Sequence, residues 1–342
     1  MSKKTINDLD KLVEQEQLRH TNNIIRIVAK AKALLIRGRI SNEEYNKIVD
    51  KFNYKQLVNA GLDQYIENLL FYRFGLTDIY SKVIDSYSKY QTGFQKQDSF
   101  PDYESEMIEF FKFIDCYQLY KRMKDRSMII NDPKATLSVC INGGKTSYIV
   151  LKKPYINHIK PKSTTIVHEM GHAYFYHVIA GNNTHLFARD INSEIVSIFF
   201  ERLYLDFLLH NTNNPDMIKL IIKNFETQFL SLTKDAKHVL EVLDKPSSDF
   251  SIKGASITYK EKGEEHNTDL YGQTYAMGNI GAARMFCEYE KNPDLFIRYF
   301  SDSIKSIQEM DFQTTLLEHT NISPLEECLS KNLVLKPKRK DN

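Results

Sequence analysis

Proline is excluded from helix interiors because it lacks an N–H and its ring clashes with the preceding turn, and the first of the chain's nine prolines is Pro101. The first hundred residues are therefore free to be almost wholly helical. Apolar residues there recur at spacings of three and four: Leu9, Leu12 and Val13, then Ile24, Ile25, Val28, Leu34 and Leu35. That spacing places them on one stripe and predicts amphipathic helices packed on a core, broken at Gly38, Gly61 and Gly75. Between Glu16 and Glu43 stand six basic residues, Arg19, Arg26, Lys30, Lys32, Arg37 and Arg39, and no acidic one. A solvated helix face is the simplest reading; an anionic membrane surface or a nucleic acid is the alternative partner.

From Gln91 to Asp102 the chain turns to Gln, Ser, Gly, Asp and Pro, the mark of a loop or lobe boundary. One helix is expected from Tyr103 to Met128. The β-branched runs Ala135–Ile141 and Thr146–Leu151 flank Asn142-Gly143-Gly144, which predicts a hairpin and is the one clear strand pair. From Ser163 onward the pattern reads as helices, with breaks at Gly181-Asn182-Asn183, Asn211 to Pro215, and Asp244-Lys245-Pro246-Ser247-Ser248. The basic tail Lys336-Pro337-Lys338-Arg339-Lys340 reads as a frayed terminus. The class expected is mainly α with a small β-hairpin or sheet, in two lobes, residues 1–130 and 131–342.

At 342 residues the chain is too long for a peptide or a lone module and long enough to bury a sizeable core. Lys+Arg 46 against Asp+Glu 44 leaves a formal charge of +2, without the strong positive field of a dedicated nucleic-acid binder, so no nucleic-acid partner is expected. Cys116, Cys140, Cys287 and Cys328 fit neither a zinc or redox C-x-x-C spacing nor a dense disulfide framework. The charged N-terminus and the lack of a long apolar run predict a soluble, cytoplasmic protein without a membrane span.

The residues richest in chemistry are His168-Glu169-Met170-Gly171-His172, an H-E-x-x-H motif in a segment expected to be helical from about Ser163 to Ala180. Four residues turn a helix by about 400°, so His168 and His172 point the same way, roughly 6 Å apart along the axis. Two imidazoles can then share one metal ion. Glu169 stands about 100° around, beside that metal, where its carboxylate can take a proton from a water on it. Zinc suits such a site because it accepts neutral imidazoles and, in catalytic centres, takes three protein ligands and leaves one position open. The next expected helix, from Ile191 to about Leu209, offers Glu194 and Glu201 as the third ligand. His177 falls about 140° from His172 and reads as structural. Gly171 costs roughly 1 kcal/mol against Ala inside a helix, which points to a close backbone approach.

The run His168-Glu169-Met170-Gly171-His172-Ala173, followed by Glu194-Ile195-Val196-Ser197 and Glu201, resembles the M3 family of zinc oligopeptidases, especially its oligoendopeptidase F branch. Gly143-Gly144-Lys145-Thr146-Ser147-Tyr148-Ile149-Val150-Leu151 is similar to the strand that borders the substrate cleft in that branch. Tyr271-Gly272-Gln273-Thr274-Tyr275-Ala276-Met277-Gly278 resembles its tyrosine-rich segment. The resemblance spans about Cys140 to Asn342. It implies a zincin-type (gluzincin) helical metallopeptidase whose catalytic lobe is 131–342. It also implies one zinc on His168, His172 and Glu194, and Tyr275, Tyr271 or His266 near the scissile carbonyl. Donors there would steady the developing oxyanion. Glu201, seven residues after Glu194 and on nearly the same face, is placed to orient a ligand from behind. Two features depart from the family: Phe175 stands where members commonly carry a further His, and the N-terminal helical half is short.

The activity expected is zinc-dependent endopeptidase hydrolysis of short peptides, with Glu169 as general base. A carboxypeptidase, which needs a cation for the terminal carboxylate, and a non-catalytic peptide-binding module are the alternatives.

Overall fold

The computed structural model describes residues 23–52, 104–152, 162–180, 191–211, 250–253, 256–261, 263–269 and 288–302, together with Gly278, Ala282, Met285 and Phe286. Helix α1 covers residues 23–36 and stops at Gly38, whose φ of 65° is left-handed. Gly38 N–H donates to Leu35 O and Arg39 N–H to Leu34 O, both at 2.9 Å, the paired closure that a left-handed residue permits. Helix α2, Asn42–Asp50, opens on a reciprocal cap: Glu44 N–H donates to Ser41 Oγ (3.2 Å) and Ser41 N–H to Glu44 Oε2 (2.8 Å). Ile24, Val28 and Val49 join these two helices in one small core.

The single helix expected over 103–128 is instead two, α3 (Glu104–Phe113) and α4 (Tyr117–Asp125). Asp115 (φ 55°) and Ser127 (φ 52°) take the left-handed conformation without being glycine. Cys116 N–H then closes on Phe111 O and Met128 N–H on Met123 O, each at 2.8 Å, as at Gly38.

After α4 the chain enters β1 (Ile129–Asp132), a strand the sequence reading does not include. The expected hairpin is present: β2 (Val139–Ile141) pairs antiparallel with β3 (Tyr148–Lys152), Cys140 opposite Ile149. β1 lies parallel to β3 on its other edge, Ile130 opposite Val150, so the order is β1-β3-β2. The central strand buries Ile149, Val150 and Leu151.

Helices α5 (Lys162–Ile179) and α6 (Ile191–Asn211) form the centre. Every residue of α6 from 193 to 205 is buried, so this helix is covered all round rather than amphipathic. On one side Phe110 of α3 meets Phe200, Tyr204 and Phe207, ring centroids 6.4, 5.2 and 5.9 Å apart. On another, Phe300 lies 5.7 Å from both Phe199 and Phe200 and 5.5 Å from Tyr174. Each ring fully buried is worth about 1.5–3 kcal/mol, so this cluster clamps the helix that carries the acidic residues.

The close approach inferred at Gly171 is real: a Cβ there would fall on Ser197 Cα and stand 3.0 Å from Ser197 Cβ and N. Gly171→Ala therefore pits a helix-propensity gain of about 1 kcal/mol against an overpacking cost of about 1–3 kcal/mol or more. We expect a net loss of stability in urea unfolding of the metal-free chain. A gain would mean that α5 and α6 part easily at this point.

Beyond Ser163 the all-helical expectation is corrected. A second sheet, wholly antiparallel where the first is mixed, consists of β4 (Phe250–Lys253), β5 (Ser256–Glu261) and β6 (Glu264–Asp269) in the order β4-β5-β6 and turns at Gly263 (φ 87°). β6 is Glu-Glu-His-Asn-Thr-Asp, rich in residues depleted from strands, and is held by pairing with β5 rather than by propensity. Helix α7 (Pro293–Arg298) starts where the Asn292 side chain accepts from Leu295 N–H at 3.1 Å. The architecture is mainly α with small sheets, and no helix among the described residues is long and apolar enough to cross a membrane. Expected breaks at Gly61, Gly75, 91–102, 181–183, 212–215 and 244–248, and the basic tail, lie outside the described residues.

Candidate metal centre

Helix α5 brings His168 and His172 to one face, one turn apart, with their Nε2 atoms 3.2 Å from each other. Helix α6 runs antiparallel beside it, since His168 meets Glu201 while His172, further along α5, meets Ser197 and Glu194. The Gly171–Ser197 contact sets how near the two helices lie. Glu194 Oε1 then stands 3.5 Å from His172 Nε2, and Oε2 3.7 Å from His168 Nε2. Zinc bonds of about 2.0–2.1 Å in a tetrahedron put neighbouring donors about 3.3 Å apart, which is the scale of this triangle. His168, His172 and Glu194, each under 9% exposed, are thus a buried group able to hold one metal ion.

The protonation states suit that role. Glu201 Oε1 lies 2.5 Å from His168 Nδ1, so Nδ1–H donates to the carboxylate and the Nε2 lone pair is turned toward the other two donors. Burial, and the proximity of His168, hold the His172 pKa well below the usual imidazole value, against an upward pull from Glu201. A neutral imidazole is the form that binds metal. Ser197 Oγ donates to Ser193 O at 2.8 Å and rests against the His172 ring, 3.4 Å from Nδ1 and 3.2 Å from Nε2.

Glu169 is buried on α5 at 5% exposure. Its charge reaches the Cys140 thiol on β2, whose pKa is pushed well up, first by burial and then by this carboxylate, against a lowering hydrogen bond with Ser147. The strand edge and the acid–base candidate are therefore neighbours. His177 lies further along α5 and is half-buried; burial, Arg122 and Lys145 all lower its pKa, and it is not among the converging donors. Phe175 is fully buried and serves as packing.

His266 sits in β6 opposite Tyr259, half-buried, and is not one of the three groups that converge. Tyr271 and Tyr275 lie outside the described residues, but Gly278, at the end of their segment, packs directly on α6. A Cβ at Gly278 would come within 2.9 Å of Glu194 Cβ and 3.0 Å of Ile198 Cδ1. Residues the sequence reading assigned no role at the site are Ser197, Cys140 and Gly278. Their only signals are indirect: a glycine opposite a small residue on the next helix, and a thiol on the hairpin that precedes the motif.

No family model, curated protein or solved structure gave a match to this chain.

Proposed function

We propose that this protein is a zinc metalloendopeptidase that hydrolyses internal bonds of short peptides, built as a zincin-type helical fold of the M3 oligopeptidase kind. The observation that carries the reading is the convergence of His168 Nε2, His172 Nε2 and the Glu194 carboxylate at separations of 3.2–3.7 Å, with Glu169 next to the first ligand on the same helix. The motif and the resemblance of the Glu194 helix support it from the sequence side. His168, His172 and Glu194 would hold the ion, and zinc there supplies Lewis acidity and lowers the pKa of water toward about 7.

The chain's own groups do the rest. Glu169 accepts the proton of the attacking water and returns it to the leaving amine, so one carboxylate serves both halves of the reaction. Glu201 keeps His168 in the tautomer that presents Nε2. Tyr275, with Tyr271 or His266, donates to the developing oxyanion. Burial of His168, Glu169, Glu194 and Glu201 strengthens the electrostatic interactions among them. Cys116 and Cys140 are free thiols, which suits the reducing cytoplasm in which we place the activity.

The test combines metal content with mass spectrometry of a mixed library of short peptides, each with free and amidated C-termini. One zinc per chain and internal cuts indifferent to amidation are expected. Cuts that require a free terminus would instead make it a carboxypeptidase, zinc with no product a peptide-binding module, and no zinc would remove the site.

A further inference from the structure

Arg26 and Lys30 of α1, with Arg37 one residue past its end and still bonded through its N–H to Ala33 O at 3.2 Å, form a straight, solvent-facing line. Taking Arg26 as origin, Lys30 lies about 40° and Arg37 about 20° around the helix, so the three cations share one face over about 16 Å. All three are exposed, and beside them Ile27 is 41% exposed. No acidic side chain among the described residues pairs with any of the three. Lys32, by contrast, is spent on the Tyr45 ring, 5.2 Å from its centroid.

The helix is anchored to the wall of the candidate site. A Cβ at Gly143, in the β2–β3 turn, would approach Ala29 Cβ to 3.2 Å, and Arg37 is near enough to Tyr148 for its charge to oppose the rise that burial imposes on that phenol. The same turn exposes Lys145 and rests on the end of α5, with Gly144 against Ala180. Cys140, three residues earlier on β2, is the residue whose thiol feels Glu169. About three residues of extended chain, roughly 10 Å, thus lead from Cys140, beside the acid–base candidate, to the turn that meets the middle of α1 at Ala29.

We propose that Arg26, Lys30 and Arg37 form an outlying binding site for acidic stretches of the peptide substrate, which makes peptides carrying Asp or Glu several residues from the cleaved bond the preferred class. This rests on the peptidase reading. The line of charge complements a run of carboxylates and lies within the reach of a chain bound near Glu169. A membrane surface fits less well, because Ile24, Ile25, Val28 and Ala29, the apolar face of α1, are buried in the protein and unavailable to lipid. A nucleic acid fits less well because the molecule as a whole carries only +2.

The experiment measures fluorescence anisotropy of the full chain with labelled peptides of about ten residues that share a neutral core and differ in having Asp/Glu, Ser/Gln or Lys flanks. Three exposed ion pairs together give about a tenfold preference for the acidic peptide at low salt. Raising the ionic strength until the Debye length falls to about 3 Å should erase it. The triple change Arg26→Gln, Lys30→Gln, Arg37→Gln should also erase it and leave the neutral peptide unaffected, while Arg26→Lys with Arg37→Lys keeps it. Equal binding of all three peptides, a preference that survives the triple change, or tighter binding of an oligonucleotide or of phosphatidylserine vesicles would overturn the proposal. Acidic peptide held but never cut would keep this site and sink the peptidase reading; neutral peptide cut without any acidic preference would do the reverse.

Discussion

Glu169→Gln is expected to lower kcat by about 10²–10⁴-fold while the chain still carries one zinc, because a positioned general base contributes about that much. Glutamine matches the size of the buried side chain it replaces, so the packing of α5 against β2 and α6 is kept. What it loses is the ability to accept a proton. His168, His172 and Glu194 are untouched, so metal content by elemental analysis should be unchanged and KM should move little. A second readout needs no turnover. The Glu169 charge helps to hold the Cys140 pKa up, so neutralising it lets that pKa fall, and the thiolate fraction at a fixed pH rises. Alkylation of Cys140, followed by peptide mapping, should therefore be faster in the variant. Activity near the wild-type level would remove Glu169 as the base, and unchanged alkylation would mean that its carboxylate does not face the strand edge.

What the sequence made legible was what depends on local spacing. H-E-x-x-H needs only helical geometry to bring two rings together, and Asn142-Gly143-Gly144 between β-branched runs needs only a turn. Gly171 gave away a tight crossing because a glycine inside a helix needs a reason. What remained hidden was whatever is set by partners distant in sequence. Asp115 and Ser127 end their helices in a conformation normally marked by glycine, so α3 and α4 read as one helix and β1 was lost behind them. β6 has a composition that argues against a strand and is held by its register with β5. Spacing offered both Glu194 and Glu201, and only the resemblance favoured Glu194; neither could be joined to particular nitrogens, which needed α6 antiparallel to α5, with His168 facing the later glutamate and His172 the earlier one. Ser197 and Gly278 belong to the same category, being notable only for what they touch.

Glu194→Gln separates a metal-binding role from a packing role, because the two predict opposite changes in stability. The carboxylate is 5% exposed beside the neutral ring of His172, and burying an anion costs free energy that only a cation fully offsets. Glutamine keeps the Cβ that Gly278 packs against and fills the same volume, so the metal-free variant should be as stable as the metal-free wild type or more so. With zinc the order reverses. Removing an outer partner of a metal ligand typically costs about 10–100-fold in affinity, so removing a ligand itself should cost at least about 100-fold. At a zinc concentration a thousand times the wild-type Kd, the ion adds about 4 kcal/mol to the wild type but only about 1.4 kcal/mol to a variant bound 100-fold more weakly. Urea unfolding with chelator and with buffered zinc should thus show the zinc-dependent gain shrinking by about 2–3 kcal/mol while the chelated curves coincide or favour the variant. If Glu194 only packs, the chelated variant is the weaker one and the response to zinc is the same in both; the pairing of Glu194 with the two histidines would then be a structural ion cluster rather than a metal site.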